Sequence, residues 1–308
     1  MILIITHKED FTTDFVIEKL NEQNIKYFRL NCEDLNKNNY LFDNSNDFNF
    51  SINGISEFSS VWFRRTKLPD IDTTDQDKKI FLLADYESLF DNLFNLINSK
   101  KWLSNPNYIY KAENKLYQLQ KAKEIGFNIP NTIVTNNHKQ LSEFVSDNAN
   151  EVIIKPIRQG RIQLSDGVKT IFTNQVGKEV LENLIEYDLT PCIVQNLIQK
   201  EYELRITVVG DKVFSAKINS QENENTQTDW RKEKNPFFEC YIPQEIENKC
   251  IKLLTELNIS FGAIDLIKDK NGEYIFLEIN PNGQWAWIEM ETGLKISEAI
   301  INFLTTTE

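Results

Sequence analysis

The first sixty positions alternate between short apolar runs and amphipathic stretches. Ile2 to Ile5 is an uninterrupted apolar run of strand length, and Phe11 to Asn21 repeats apolar residues at helical spacing. Lys26 to Leu30 reads as a second strand, Asn31 to Asn49 as a polar loop or edge, and Ser60 to Phe63 as a strand ending in Arg64 and Arg65. Strands alternating with helices predict a small α/β domain on a parallel sheet. Ligands meet such sheets at strand carboxyl ends, where Arg64 and Arg65 would lie.

A long helix follows from about Ile80 to Asn98, with Phe81, Tyr86, Phe90, Leu93 and Ile97 at helical spacing. SNPN at 104–107 punctuates the chain and sets a boundary, giving an N-terminal part of 1–105. Lys111 to Ile125 reads as one helix, closed by Gly126 and by Pro130 beyond it. Strands dominate afterwards: Glu151 to Lys155, Pro191 to Leu197, Glu203 to Val209, Lys212 to Lys217, Gly262 to Ile267 and Tyr274 to Ile279. Helices at about 177–187, 243–257 and 295–304 interrupt them, and Ser220 to Asn235 is a polar loop. The division this suggests is 106–194 and 195–308.

The segment FGAIDLIKDKNGEYIFLEINPNG carries the most chemistry. Asn271-Gly272 between two apolar runs signals a two-residue hairpin turn. Counting outward from it, Lys270 faces Glu273 and Asp265 comes directly opposite Glu278, with Ile267, Phe276 and Asn280 on the same face. Opposed like charges are destabilising unless a cation lies between them. Hard oxygens in this arrangement suit Mg²⁺ shared with substrate phosphates. Pro281 ends the strand, so Asn282 and Gly283 are expected to turn away.

Other residues leave alternatives open. Lys155 ends an apolar strand, where it either meets an anion or snorkels to solvent. In ELRITVV, Glu203, Arg205 and Thr207 share a face. Glu203 and Arg205 form a structural ion pair there, or they serve a ribose hydroxyl and phosphate or acyl-phosphate charge. Gln195, Asn196, Leu197 and Ile198 form an apolar strand whose backbone can pair with an adenine edge. Pattern alone leaves Lys115 on a solvated helix face and Arg231 in a polar loop, and reads Trp285 and Trp287 as packing residues.

Composition narrows the function classes. The formal charge of -12 opposes nucleic-acid binding, which needs basic surface. With His7 and His138 as the only histidines, a zinc site or a histidine triad is not expected. The scattered Cys32, Cys192, Cys240 and Cys250 read as reduced thiols. No stretch reads as a signal peptide or membrane span, so a cytoplasmic protein is expected. No P-loop or GxGxxG string occurs.

Taken together, the segments VWFRR, KAENKLYQLQKAKEIGFNIPNTIVTN, VQNLI…ELRITVVG and FGAIDLIKDKNGEYIFLEINPNGQW resemble the ATP-grasp superfamily. Within it they are similar to the peptide ligases that cyclise graspetides of the microviridin and marinostatin type. The resemblance implies an α/β (α+β) ATP-grasp fold: an N-terminal parallel-sheet domain, a central domain and a C-terminal ATP-grasp domain. It implies ATP and Mg²⁺ as cofactors, with Lys115 and Lys155 on the phosphates and Asn196-Leu197 at the adenine hinge. Glu203 would meet the ribose, Arg205 and Arg231 phosphate or acyl-phosphate, and Asp265, Glu278 and Asn280 the metal. IRQGRIQLSDG, with only Gly160 and Gly167, departs from the glycine-rich phosphate loop of many such enzymes.

The implied reaction joins Asp or Glu side chains to Ser, Thr or Lys of a ribosomal precursor peptide with a leader and an acidic core. The enzyme would self-associate, and Arg64 and Arg65 would help bind the peptide. A ligase adding a free amino acid such as glutamate to a protein terminus would share every ATP residue. A nucleotide-binding regulatory protein without turnover is a different class, and a kinase stopping at phosphate transfer is another.

Overall fold

The N-terminal apolar run is buried on both faces because it becomes an inner strand of a parallel sheet. β1 (Ile2–Thr6) pairs on one side with β2 (Tyr27–Asn31). β3 (Tyr40–Asp43) and β4 (Asn49–Ile52) form a separate antiparallel hairpin. β5 (Ser60–Phe63) takes the other side of β1, and β6 (Trp102–Leu103) completes the order β2-β1-β5-β6. Leu3, Ile5, Val61 and Phe63 pack with Phe90 and Leu93 of α2 (Gln76–Leu96). Ile2, Ile4 and Trp62 join the cluster containing Val16 and Leu20 of α1 (Phe11–Glu22). Both faces are covered, as a parallel sheet requires.

The computed structural model describes residues 1–45, 48–148, 151–157, 161–164, 167–170, 173–175, 190–222, 226, 230–233 and 235–306. The helix expected at 177–187 lies outside them, as does Gly160 of the phosphate segment.

The helix expected over 111–125 is two helices, α3 (Pro106–Ala112) and α4 (Lys115–Ile125). Asn114 causes the break: its Nδ2 donates to the carbonyls of Tyr110 and Lys111, closing the first helix before the second begins. Gly126 ends α4 at φ +97, in the left-handed conformation that suits glycine.

The central sheet is antiparallel. It contains β7 (Thr132–Thr135), β8 (Val152–Lys155), β11 (Asn174–Gln175) and β12 (Cys192–Asn196) in the order β11-β8-β12-β7, while β9 (Arg161–Leu164) and β10 (Gly167–Thr170) form a hairpin. α5 (His138–Asp147) covers it, burying Leu141 and Val145 against Val152 and Val194.

The C-terminal sheet contains β13 (Lys200–Val209), β14 (Lys212–Ile218), β15 (Phe237–Glu239), β16 (Phe261–Asp269) and β17 (Tyr274–Asn280), in the order β15-β14-β13-β16-β17. β13 and β14 meet through Gly210-Asp211, with Gly210 at φ +58. Leu204, Ile206, Val208, Ile264 and Leu266 pack with Ile246, Cys250 and Leu253 of α6 (Gln244–Glu256). Alternation turns Glu203, Arg205 and Thr207 to the other face. α7 (Ala286–Thr292) and α8 (Ile296–Thr305) return the chain to the N-terminal sheet, where Ile300 and Ile301 share a core cluster with Ile2 and Ile4.

Candidate active site

Asp265 and Glu278 are direct cross-strand partners, but they meet by a route that simple counting misses. The turn contains three residues, not two. Asp269 N–H donates to the Glu273 carbonyl at 3.0 Å, and the Asp269 carboxylate accepts from the backbone of Asn271 and Glu273 at 2.9 and 2.8 Å. Gly272 takes φ +88, the left-handed position of a three-residue loop. Lys268 therefore faces Tyr274 and Leu266 faces Phe276, one residue off the expected register. A bulge that leaves Leu277 unpaired restores it.

The bulge corrects one expectation. Phe276 does not share the acidic face but joins Ile264, Leu266 and Ile279 in the core, its ring 5.6 Å from that of Phe127.

Four cations surround the two carboxylates. Arg205, the register partner of Asp265 on β13, donates from Nη1 to both Asp265 oxygens at 2.8 and 2.9 Å. Lys115 Nζ and Arg231 Nη1 form ion pairs with Glu278 at 3.6 and 3.7 Å. Lys115 starts α4, where the helix dipole opposes a cation and Glu278 offsets it. Burial alone would raise Glu278, but Lys115, Lys155, Arg231 and Arg205 together hold its carboxyl below the usual range. Asp265 is raised by burial and by Glu278, against the pull of Arg205. Burial draws the Lys155 ammonium down to about 8, despite the attraction of Glu278.

These groups fit a divalent cation beside a polyphosphate. Two buried hard-oxygen groups face each other, and a cation between them would lower the cost that raises Asp265. Asn280 follows two residues after Glu278, on the same face. Among the described residues no cluster of three His, Cys, Asp or Glu side chains occurs. Arg205 Nε is buried without a hydrogen-bond partner, which leaves a donor for an anion.

Beyond Arg205, Asp265 and Asn280 the site opens into a cavity of about 480 Å³ that reaches the N-terminal sheet. Arg65, Tyr110, Glu113 and Arg231 line it, and so do residues 281–284, which run along the site rather than away from it. Arg231 sits in a short turn, Trp230–Lys232, anchored by Trp230 on Phe237 and Trp287. Arg64 is buried, its Nε 3.5 Å from Asp10 and its Nη1 3.5 and 3.4 Å from the carbonyls of Asn282 and Gly283. Thr6 and Thr13 donate to the same Asp10 carboxylate at 2.7 and 2.8 Å. Burial pulls Arg64 down to about 10 against the attraction of Asp10.

Residues 1–109 match the MvdD pre-ATP grasp domain, and residues 112–304 match the RimK-like ATP-grasp domain. The chain belongs to the RimK-like ATP-grasp family. A RiPP-associated ATP-grasp ligase of Chryseobacterium gregarium, in complex with ADP and a leader and core peptide, is 29% identical, with a TM-score of 0.89 over 98% of this chain and 96% of that one. Macrocyclase MdnC of Microcystis aeruginosa MRC, bound with precursor peptide MdnA, is 29% identical with a TM-score of 0.86 over 99% of each chain. Alpha-aminoadipate–LysW ligase LysX of Sulfurisphaera tokodaii is 24% identical over 226 residues, 70% of this chain and 73% of its own. The ATP-grasp fold expected from the sequence is the fold observed.

Within this ATP-grasp chain, Lys115, Lys155, Arg205, Arg231, Asp265 and Glu278 converge on one site. Glu203 does not pair with Arg205. It pairs with Lys200 at 2.7 Å, a buried lysine to which the sequence pattern gives no weight, and burial raises its carboxyl. The strand at the expected adenine hinge ends at Asn196. Gln195 lies inside the sheet, paired on both sides, with its Nε2 on Thr132, and Leu197 N–H donates to Glu151. Among the described residues no helix is long and apolar enough to cross a membrane.

Proposed function

We propose that this chain is an ATP-dependent peptide ligase that closes ω-ester or ω-amide rings in a ribosomally made precursor peptide. The observation that carries the reading is one arrangement: four cations converge on a register-paired Asp265 and Glu278, beside a cavity lined by Arg65 and Arg231. In this reading Lys115 and Lys155 hold the ATP phosphates, Glu203 the ribose, and the chain at 196–198 the adenine edge. Asp265, Glu278 and Asn280 hold Mg²⁺, which when bound neutralises phosphate charge.

An Asp or Glu carboxylate of the peptide attacks the γ-phosphorus, giving an acyl-phosphate and ADP. A Ser or Thr hydroxyl or a Lys amine of the same peptide then attacks the acyl carbon, expelling phosphate and releasing its proton. Arg205 and Arg231 stabilise the charge on the transferring group. Arg64 and Arg65, both lining the cavity, help bind the peptide, and Arg64 also holds the 282–284 loop. Holding both reacting side chains in one cavity supplies rate through proximity. The parts serving these roles are 1–105, 106–194 and 195–308.

The test is mass spectrometry of an acidic precursor peptide incubated with enzyme, ATP and Mg²⁺. Loss of one water per bond, abolished by Glu278→Gln, is expected. The likeness to LysX favours a second reading, addition of a free amino acid to a peptide or protein terminus, and a gain of amino-acid mass would select it. An unchanged peptide with no ADP would sink both.

A further inference from the structure

β17 is the edge strand of its sheet, so the outward peptide groups of Ile279 have no strand to bond. Gln118 of α4 takes that place. Ile279 N–H donates to its Oε1 at 3.1 Å, and its Nε2 donates to the Ile279 carbonyl at 2.8 Å. Nε2 also donates to the Ala112 carbonyl at the end of α3, at 2.6 Å. Gln118 is buried, and its amide has no further hydrogen to give. It therefore does for Ile279 what a neighbouring strand would do, at the residue between Glu278 and Asn280. Lys115, one turn earlier on the same helix, is an ion-pair partner of Glu278.

The bulge makes such a clamp necessary. Without it, β17 would continue the register set by Leu266 and Phe276, placing Leu277 opposite Asp265 and sending Glu278 to the core face. Bonds to both groups of the Ile279 peptide favour the bulged register over that slip.

We propose that Gln118 is a positioning residue that pins Glu278 and Asn280 in the register needed to hold a divalent cation, and ties that strand to Lys115. The inference rests on the proposed metal role of Asp265, Glu278 and Asn280.

The test is ADP affinity by calorimetry, with and without Mg²⁺, for the wild type, Gln118→Met, Gln118→Glu and Glu278→Gln. Hydrogen exchange of the peptide containing Ile279 is followed in parallel. Gln118→Met should lose about tenfold or more of the Mg²⁺-dependent affinity, keep its Mg²⁺-free affinity within about threefold, and exchange faster at Ile279. In the Gln118→Glu variant the new side chain donates to the Ile279 carbonyl only when its carboxyl is protonated. Relative to wild type at each pH, Gln118→Glu should therefore recover Mg²⁺-dependent affinity as pH falls from about 8 to about 6. That recovery separates positioning from general destabilisation, and it decides the matter if Gln118→Met fails to fold. Wild-type Mg²⁺ dependence in both variants, with Glu278→Gln impaired, overturns the inference alone. Unaltered Mg²⁺ dependence in Glu278→Gln overturns the metal reading and this inference with it.

Discussion

Gly283 lies where the loop after β17 presses on the site, and Gly283→Ala tests how tightly that loop is set. An added Cβ would sit 2.5 Å from Ala263 Cβ, 2.8 Å from Arg205 Nη2 and 3.2 Å from Asn280 Cβ. Carbon atoms settle at about 3.5–4.0 Å, so the loop or β16 must retreat by about 1 Å. Arg205 cannot give way freely, because its Nη1 is bonded to both Asp265 oxygens. Overpacking of this kind costs about 1–3 kcal/mol. A displacement of about 1 Å beside the reacting groups lowers turnover about 100-fold. Thermal unfolding and ADP release with the precursor peptide are the assays, and Mg²⁺-free ADP affinity is the control. Turnover within about threefold of wild type, with an unchanged melting temperature, would refute the steric reasoning.

Two further outcomes follow from the site and its core. Lys155 in the free enzyme loses its charge as pH rises through about 8, while bound phosphate favours the charged form. ADP binding should therefore take up a proton above that pH and weaken by up to about tenfold per unit; two-buffer calorimetry showing no uptake, or the same uptake in Lys155→Met, contradicts this. Phe276→Ala should cost about 3–5 kcal/mol in chemical denaturation, because the ring is fully buried on the core side of the bulge. A cost below about 1 kcal/mol would return Phe276 to the acidic face.

The pairing of Asp265 with Glu278 was legible in the sequence through two offsetting features that were not. A three-residue turn displaced the register by one, and an unpaired Leu277 displaced it back. Turn chemistry at NG is a local signal, whereas a bulge is chosen by what packs on either side, here Phe127 and Gln118 from distant parts of the chain. The clean alternation of β13 from Glu203 to Val208 needed no such help, because the register to both neighbouring strands is unbroken there and is irregular only between Lys200 and Tyr202. Local capping explains other misses. Asn114 splits α3 from α4 by bonding carbonyls, and Asn137 starts α5 by accepting from Lys139 and Gln140. Both are small polar residues that read equally well as loop. Lys200 gave no periodic signal, and only its burial against Glu203 marks it.

Arg64 spans the seam between the two halves of the chain, held by Asp10 on one side and reaching the carbonyls of 282 and 283 on the other. Thr12 adds a bond to Gln284 across the same seam. Recombination therefore has a hidden constraint. A chimaera joined near residue 105 with a foreign N-terminal half would replace one side of the core clusters that the halves share, and would also bring a foreign partner to the 282–284 loop. Beyond that shared apolar packing, compatible halves would need matching residues at 10, 12 and 64 on one side and 282–284 on the other, a short polar code carried outside the nucleotide site itself.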